Sequence, residues 1–496
     1  MLLEWTLADM TRRTLTPFVL FILFFVGMAV IQFSTPHMPD NDGFYHIKFA
    51  WLMRTEGLKP DFPYLPMSIL NGEDFYDHHF LYHVALIPFT FGDLRLGAKW
   101  AAVTFSALAF TAVWYLFYRQ KVPYAWLWAL TLLGISEAFL YRMSISRAQS
   151  LSLGIMALGL AWMFEGKYKH LALLSFLYVW MYNAFPLMIV LSGCYTAAVY
   201  LLEKRFEPRP LLYSGIGILA GLVINPYFPN NLIFTYHHFA AKLELADSIK
   251  VGNEWYPYDT GQLLENSLPA LIAFAGGALA LGLTGRKMNT RIAATLFVAL
   301  LFGAMLFQAR RFIEYFPPFA LIFAAFSIGA MFDLDNSLSA GKQKMIFPVL
   351  LALGIAAGMF KSFPAVRAQL ADSKPYDLYK GSSAWLAQNT NEGEMIFQTD
   401  WDDFPRLFFY NSRNTYLVGL DPTYFQIYSP DLYREWVKIT RGEVENPSRF
   451  IRSDFGARFV HTDLSHENFI EQAQNDPGLL EVYRDEQSVL YQVIEP

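Results

Sequence analysis

The chain has 496 residues, of which 54% are hydrophobic, 17% aromatic and only 16% charged. Because about a quarter of the residues of an average soluble protein are charged, this composition excludes a soluble enzyme and a disordered protein. The single cysteine, Cys194, excludes an internal disulfide and a cysteine-based metal site. The net charge of −5 provides no overall basic surface, so nucleic acid is not expected as a partner.

Charge is distributed unevenly along the sequence. Residues 1–361 carry 26 Lys and Arg against 22 Asp and Glu, a net charge of +4. Residues 362–496 carry 12 against 21, a net charge of −9. The mean hydropathy of the whole chain is +0.27. We therefore predict a polytopic α-helical membrane domain over residues 1–361 and a soluble, acidic domain over residues 362–496.

Apolar stretches long enough to cross a bilayer recur through the first region. A hydrocarbon core of about 30 Å requires roughly 20 apolar residues in an α-helix. The first such stretch has no small-residue cleavage site after it, which favours an anchor helix over a removed signal peptide. In all, the sequence predicts about eleven spans, at residues 14–33, 97–118, 124–141, 147–164, 169–182, 184–203, 209–225, 265–284, 290–308, 313–333 and 344–361.

Positive charges indicate how these spans are oriented. With the N-terminus in the cytoplasm, every predicted inner loop contains at least two Lys or Arg residues, as the positive-inside rule requires. We therefore expect a multi-pass protein of the plasma (inner) membrane. After an odd number of spans, residues 362–496 lie outside the cytoplasm. Two outer segments are long, residues 34–96 and residues 226–264, so polar chemistry is concentrated on the outer side.

The acidic region has the pattern of a mixed α/β domain. Alternating apolar residues in LLEVYRDEQSVLYQVI predict a final strand pair near residues 479–493. The other predicted elements are a strand near 394–398 and helices near 382–389, 422–438 and 466–474.

The first outer segment places Asp40 and Asp42 directly after the first span, in the sequence PDNDGFYH. Two carboxylates with this spacing in a loop can face one divalent cation, and Mg²⁺ or Mn²⁺ prefers oxygen ligands. Residues 44–58 have the spacing of a helix lying in the membrane interface, with His46 one turn beyond Asp42. The alternative is that Asp42 is the N-cap of this helix and Asp40 a solvated turn residue.

Histidines are concentrated in the same outer segment, in the sequence EDFYDHHFLYH. Asp77, His78, His79 and His83 lie close together, and His79 and His83 have the spacing of two metal ligands on one helix face. Interfacial histidines with satisfied hydrogen bonds are the structural alternative. We expect these residues to line a pocket and to hold acceptor or donor groups.

Four arginines lie on the predicted outer side, against the charge trend. Arg142 and Arg147 flank the turn YRMSISR, and Arg310 and Arg311 precede an apolar span. Cations beside apolar helices are costly unless they bind an anion, and a lipid phosphate or pyrophosphate matches the guanidinium with paired hydrogen bonds. The alternatives are snorkelling to lipid headgroups or pairing with nearby acids, namely Glu137 and Glu314.

Acids occur in two further outer sequences. Glu254, on the second outer segment, could complete a metal site when substrate closes the loop, or it is an ordinary loop acid. In the tail, Trp401 and Asp402 lie in TDWDDF, directly after a predicted strand. Carboxylates crowded around one tryptophan repel one another unless a cation, amide or hydroxyl partner is close. A surface turn that caps the next helix is the alternative.

Together these motifs resemble those of the GT-C class of membrane glycosyltransferases, which use polyprenyl-linked donors. The chain looks most like a divergent oligosaccharyltransferase catalytic subunit, over nearly its whole length. The family's first acidic motif follows its first span and continues in aromatic residues, as Asp42 to His46 do here. Its tail domain opens with a helix, a strand and a Trp-Asp turn that helps hold the acceptor, matched here by Trp401 and Asp402. The resemblance also implies a donor diphosphate contact for Arg310 or Arg311.

The sequence departs from the family pattern in the outer turn before residues 147–164. A second acidic pair is expected there, whereas this chain has YRMSISRAQS, with arginines instead. Two explanations are open. Either the second set of metal ligands is replaced, or catalysis is metal-independent with one aspartate as base, as the resemblance to GT-C enzymes with monophosphate-linked sugars implies.

The sequence therefore predicts an inverting glycosyltransferase that moves a sugar or oligosaccharide from polyprenyl phosphate or pyrophosphate to a protein, lipid or glycan acceptor. Asp42 would be the general base or, with Asp40, a ligand of Mg²⁺ or Mn²⁺, and the arginines would stabilise the leaving phosphate. The other hypotheses are a flippase or transporter of lipid-linked sugars and a structural subunit of an envelope assembly. Predicted spans largely free of interior charge and of repeats disfavour the transporter.

Overall fold

A computed structural model of the chain describes residues 2–244, 252–284, 288–332 and 338–494. Within these ranges the first part of the chain is helical. Its helices are α1 (Leu2–Gln32), α2 (Asp42–Glu56), α3 (Phe80–Leu86), α4 (Leu94–Arg119), α5 (Ala125–Leu130), α6 (Glu137–Ser144), α7 (Gln149–Phe164), α8 (Lys169–Met181), α9 (Leu187–Glu203), α10 (Arg209–Val223), α11 (Asn230–Glu244), α12 (Thr260–Thr284), α13 (Thr290–Gln308), α14 (Phe316–Phe332) and α15 (Leu338–Ala371).

Among the described residues, five helices are long and apolar enough to cross a membrane. These stretches are Leu15–Gln32, Leu94–Arg119, Thr260–Leu283, Thr290–Gln308 and Ile346–Ala371. Six apolar helices are shorter: Phe80–Thr90, Gln149–Phe164, Lys169–Met181, Leu187–Glu203, Arg209–Val223 and Phe316–Met331. Most predicted spans thus coincide with an apolar helix, while the number of spans and their orientation stay predictions.

The prediction of one continuous helix over residues 124–141 is wrong. This segment contains α5, a 3-10 turn over Thr131–Leu133, and α6, which Ser136 caps with its side-chain oxygen. Helix α15 passes directly over the break, since a Cβ atom on Gly134 would lie 2.8 Å from the backbone of Gly358. Only two glycines allow the two backbones to approach so closely. Helix α15 also runs without a break through residue 361, where the sequence predicts a domain boundary.

The remaining described residues form a mixed α/β tail domain with a five-stranded sheet in the order β2-β1-β3-β5-β4. Strand β1 is parallel to β2 and β3, and β5 is antiparallel to β3 and β4. The elements are α16 (Lys380–Asn389), β1 (Met395–Gln398), α17 (Phe404–Tyr410), β2 (Thr415–Tyr416), α18 (Pro422–Tyr428), α19 (Pro430–Thr440), α20 (Pro447–Ser453), β3 (Phe459–Asp463), α21 (Glu467–Asn475), β4 (Leu479–Arg484) and β5 (Ser488–Val493).

Most of the predicted tail elements are confirmed, namely α16, β1, α21 and the pair β4–β5. The single helix predicted over residues 422–438 is two helices, because Ser429 caps a new helix that begins at Pro430. Proline lacks the amide hydrogen that a continuing helix needs, but it fits the first helical position. Strand β3, which lies at the centre of the sheet, was not predicted.

Helix α2 packs between the membrane helices and the tail domain, and nine of its fifteen residues are buried. Whether this buried helix also lies at the depth of the membrane interface stays a prediction. The ring of Phe44 meets that of Phe409 at 5.2 Å, and the ring of Tyr45 lies 5.9 Å from Phe408. These buried aromatic contacts anchor the first turn of α2 against the tail.

Candidate active site

A cavity of about 900 Å³ opens where the start of α2, the α6–α7 connection, the segment around residues 252–256 and the tail meet. Its wall includes Asp400, one of the acids that the sequence analysis noted around Trp401. The wall also includes residues whose role there the sequence analysis missed, namely Tyr45, Tyr141, Tyr182, Asn183, His238 and Tyr424. Most of the predicted site residues also line it, namely Asp40, Asp42, His46, His78, His79, Arg142, Arg147, Glu254, Arg311, Trp401 and Asp402.

One guanidinium lies between the two predicted catalytic aspartates. Arg147 Nη1 is 3.2 Å from Asp40 Oδ2, and its Nη2 is 3.3 Å from Asp42 Oδ2. Burial raises the pKa of Asp42 to about 6, although Arg147 lowers it, and Asp40 raises it further. Asp42 is the first residue of α2 and Asn41 is the N-cap position, so the reading of Asp42 as the cap is wrong.

Three arginines surround Glu254 in the same cavity. Its carboxylate oxygens lie 2.9 Å from Arg142 Nη2, 3.4 Å from Arg311 Nη1 and 3.8 Å from Arg147 Nη1. Burial opposes the charged form, but the arginines outweigh it and hold the pKa of Glu254 well below its usual range. Arg142 also donates from Nε to Glu314 Oε1 at 2.7 Å, so the predicted glutamate pairing occurs here. The three guanidinium groups therefore converge on this one loop carboxylate, while Arg142 and Arg147 also pair with other acids.

The adjacent arginines Arg310 and Arg311 have different surroundings. The guanidinium of Arg311 lies 4.3 Å from the centroid of the Trp255 ring, inside the cavity wall. Arg310 instead donates from Nη2 to the carbonyl of Pro257 at 2.9 Å and lies 5.0 Å from the Tyr258 ring. Of this pair, Arg311 faces the cavity and Arg310 holds the neighbouring loop.

A hydrogen-bonded chain runs from a buried acid to the cavity wall. Asp77 Oδ2 lies 2.8 Å from His83 Nδ1, and His83 Nε2 lies 2.7 Å from His46 Nδ1. Burial lowers the pKa of His46 well below its usual range, so its ring is neutral. His83 thus joins Asp77 to His46 through its two ring nitrogens, and Nε2 of His46 takes no part in this chain. Both nitrogens of His83 are used in this chain, which does not fit the predicted pair of metal ligands.

The other two histidines of this segment pack against aromatic rings. His78 stacks on Phe234 at 5.0 Å, and His79 stacks on Tyr182 at 5.5 Å between ring centroids. Burial lowers the pKa of His79 well below its usual range. Both rings therefore line the pocket, as predicted, and each stacks on an aromatic neighbour.

The turn after β1 joins the tail to the first outer segment. Asn41 Nδ2 donates to Asp402 Oδ2 at 2.6 Å and to the carbonyl of Asp402 at 3.0 Å. The buried Arg406 donates from Nε to Asn41 Oδ1, also at 2.6 Å. Burial raises the pKa of Asp402 to about 7, with Asp40 contributing, and Lys374 lowers it. Sequence analysis missed Asn41 and Arg406; a lone cation in the apolar run FPRLFFY was the available signal.

The same turn contributes to a third acidic group. Asp400, Asp403 and Asp463 each offer one carboxylate oxygen, and these oxygens lie within 4.8 Å of one another, close enough to hold a metal ion. Asp400 and Asp403 flank Trp401 and Asp402, whereas Asp463 ends β3. Because β1 and β3 are parallel neighbours, their carboxyl ends meet at one edge of the sheet.

Solved structures of several membrane glycosyltransferases share this fold. The archaeal oligosaccharyltransferase AglB from Archaeoglobus fulgidus, in complex with an inhibitory peptide and a dolichol-phosphate, aligns with a TM-score of 0.65 at 12% identity, over 97% of this chain and 74% of that one. ArnT from Cupriavidus metallidurans bound to undecaprenyl phosphate aligns with a TM-score of 0.52 at 14% identity, over 96% and 97%. The mycobacterial arabinofuranosyltransferase AftD aligns with a TM-score of 0.55 at 14% identity, over 97% of this chain and 40% of AftD.

No protein-family profile matches the sequence, and no curated protein matches it at significant similarity. The shared architecture therefore rests on structure. The chain has the fold of the GT-C membrane glycosyltransferases, as a divergent, GT-C-like protein with many apolar helices and a small C-terminal sheet. Among these structures, the fold is shared with an oligosaccharyltransferase, as the sequence motifs predict.

Proposed function

We propose that this protein is an inverting glycosyltransferase that transfers a sugar or oligosaccharide from a polyprenyl-phosphate carrier to an acceptor at the extracytoplasmic face of the membrane. The observation that carries this proposal is the meeting of Asp42 with three arginines in one cavity of a GT-C fold. A base and a cluster of cations are the two groups that this transfer requires.

Asp42 acts as the general base in this proposal. Its raised pKa, about 6, lies closer to neutral pH than the pKa of an ordinary aspartate. A general base is most effective when its pKa is near the working pH and the base is still ionised. The acceptor oxygen or nitrogen attacks the anomeric carbon on the face opposite the phosphate. The bond between that carbon and the phosphate oxygen breaks, its electron pair stays on the phosphate, and the acceptor proton passes to Asp42. The ring of His46 lines the same cavity and can form a hydrogen bond with a substrate hydroxyl through Nε2.

Arg142, Arg147 and Arg311 bind the carrier phosphate and stabilise its growing charge in the proposed reaction. Glu254 lies where such an anion would meet Arg142 and Arg311. We infer that the donor phosphate displaces this carboxylate, which is carried on a loop. A guanidinium offers paired hydrogen bonds to phosphate oxygens, so this exchange conserves the charge balance of the cluster.

The predicted Mg²⁺ or Mn²⁺ on Asp40 and Asp42 does not fit the contacts of these residues. Arg147 lies 3.2 and 3.3 Å from one oxygen of each, so a guanidinium takes the place between the carboxylates that a shared cation would need. We propose that Arg147 supplies the positive charge there and that the transfer uses no catalytic metal. A carrier with a single phosphate suits this arrangement, since a pyrophosphate leaving group brings additional charge to neutralise.

The acceptor enters from the tail side in this proposal. Trp401 and Asp402 stand on that wall, and Asp402 is tied to Asn41, the neighbour of Asp42 in the chain. A protein, lipid or glycan acceptor would thus contact the turn after β1 while the donor phosphate contacts the arginines. The proposed topology has the N-terminus in the cytoplasm, the cavity and tail outside, and the protein in the plasma (inner) membrane.

Native mass spectrometry of the detergent-purified protein tests the donor site. We expect the wild type and Arg310→Ala to retain a polyprenyl phosphate or its glycosylated form, and Arg311→Ala to lose it. Arg310 is the matched control because it adjoins Arg311 but faces the loop instead of the cavity. Only bulk phospholipid in all three proteins would overturn the carrier-lipid site.

The catalytic role is tested by transfer from the lipid identified in that way. Asp42→Asn keeps the side-chain shape but cannot take up the proton, so we expect the rate to fall roughly a hundredfold or more. Asp40→Asn is the control, because Asp40 also pairs with Arg147. Equal loss in both variants would refute the assignment of Asp42 as the base.

A further inference from the structure

The acidic group of Asp400, Asp403 and Asp463 lies beside the main cavity but plays no part in the proposed transfer. Asp400 accepts the amide hydrogen of Asp402 at 2.9 Å, through Oδ1. Asp463 accepts hydrogen bonds from Ser465 and His466, with His466 Nδ1 at 2.6 Å. These two carboxylates are held by their own turns, and each still presents an oxygen to the group.

Asp403 differs from the other two acids in its surroundings. Its side chain is completely buried, and among the described residues neither oxygen accepts a hydrogen bond. The phenol of Tyr379 approaches this carboxyl group without completing a hydrogen bond to either oxygen. Among the described residues, His461 is the one side chain within ion-pair distance of this buried carboxyl group.

A histidine on the neighbouring strand likewise has no hydrogen-bond partner among the described residues. His461, on β3, is fully buried, and within the described part of the chain neither ring nitrogen has a hydrogen-bond partner. Its Nδ1 lies 3.8 Å from Asp403 Oδ2, beyond hydrogen-bond distance. Buried polar groups normally have partners, and here two of them face each other across a gap.

We propose that Asp400, Asp403 and Asp463 bind a divalent cation of the Ca²⁺ type at the carboxyl ends of β1 and β3. Three carboxylates supply the oxygen ligands that such a cation prefers, and water can complete its flexible coordination shell. The cation provides a counter-charge for the buried carboxyl group of Asp403. The nitrogen of His461 faces the same gap and can bind a water molecule of that shell.

The site has a positional role in the molecule. Its ligands Asp400 and Asp403 enclose Trp401 and Asp402, and Asp402 is bound to Asn41 next to the proposed base. A cation that fixes this turn therefore fixes one wall of the cavity without touching the reacting atoms. The inference goes beyond the proposed function and does not depend on it.

Thermal unfolding of the full-length protein in detergent tests the site directly. After treatment with EGTA, Ca²⁺ at 100 times its Kd should raise the Tm of the wild type by roughly 5 °C. Asp463→Asn and Asp403→Asn should require at least about ten times more Ca²⁺ for half of the effect, because each removes one charged ligand. Asp476→Asn is the matched control. Asp476 is a buried tail acid bonded to Ser448, so this variant should have a lower Tm but an unchanged Ca²⁺ requirement.

Luminescence of Tb³⁺, excited through tryptophan, locates the bound cation. The wild type should show an emission that Ca²⁺ displaces, and Trp401→Phe should lose most of the emission while keeping the Ca²⁺-dependent rise in Tm. Asp463→Asn should lose both. No rise in the Tm of the wild type with Ca²⁺ would overturn the proposal. A Ca²⁺ requirement in Asp463→Asn and Asp403→Asn equal to that of the wild type would also overturn it, whatever the outcome of the transfer assay.

Discussion

Two acidic clusters lie near the Trp401–Asp402 turn, and their side chains have different charged partners. The loop cluster, Asp40, Asp42 and Glu254, is paired with arginines at 2.9 to 3.8 Å. The tail cluster, Asp400, Asp403 and Asp463, has only histidines as ion-pair partners among the described residues. Arginines of the chain neutralise the loop cluster and provide a permanent site for anions. A cluster without such arginines needs a cation from solution.

The largest expected effect comes from removing the fixed cation of the loop cluster. Arg147→Ala leaves Asp40 and Asp42 without their shared partner and takes one donor from the leaving phosphate. We expect the transfer rate to fall roughly a thousandfold, as for loss of a charge-stabilising donor in an active site. Arg147→Lys keeps the charge without the paired geometry and should recover only part of the rate. A fall of less than tenfold in Arg147→Ala would contradict the role given to this guanidinium.

The next effect is on the pH dependence of transfer. A base must be unprotonated, so kcat/KM should fall about tenfold per pH unit below pH 6, the pKa of Asp42. Because Arg147 lowers this pKa, Arg147→Lys should move the fall to higher pH if the new contact is weaker. The measurement is the residual rate of each variant between pH 4.5 and 8 under identical lipid conditions. If Asp42→Asn showed the same fall in kcat/KM below pH 6, the fall would belong to another group.

A smaller effect is expected where the two clusters are joined. Asn41→Ala removes the hydrogen bonds to Asp402 and to the buried Arg406. Loss of a hydrogen bond to a buried charged group costs about 1–3 kcal/mol, so the free energy of unfolding should fall by that amount. Asn71→Ala is the control, since Asn71 is an amide of the same outer segment bonded to the exposed Asp74. Equal stability of the two variants would argue against the coupling.

The smallest effect should follow chelation. If the loop cluster needs no metal and the tail cluster only positions a wall, EDTA should slow transfer by the wild type less than about threefold at temperatures well below its Tm. Asp463→Asn should then be insensitive to EDTA. A loss above a hundredfold, restored by Mg²⁺ or Mn²⁺ in both proteins, would place a catalytic metal in the loop cluster after all.

The sequence determines the apolar helices, the acidic tail and the residue types of the site, because hydropathy, charge and the spacing of acids are local properties. Periodicity also predicts α16, β1, α21 and the pair β4–β5. It fails over residues 124–141, because the break between α5 and α6 depends on the contact with Gly358, more than 200 residues away in the chain. It also does not predict that α2 is buried between the membrane helices and the tail, since an aromatic face suits lipid and a buried aromatic core equally well.

Only the tertiary structure decides which charged side chains lie close together. The sequence contains Arg142, Arg147, Arg310 and Arg311 as two similar pairs, but packing directs three of them to Glu254 and turns Arg310 to the loop. The neighbours of Asp403 are equally hard to predict, because Asp463 and His461 approach it from a strand that is adjacent in the sheet and distant in the chain. Ion pairs depend on distances of a few ångströms. The sequence therefore shows which charged residues are present, and the fold determines which of them pair.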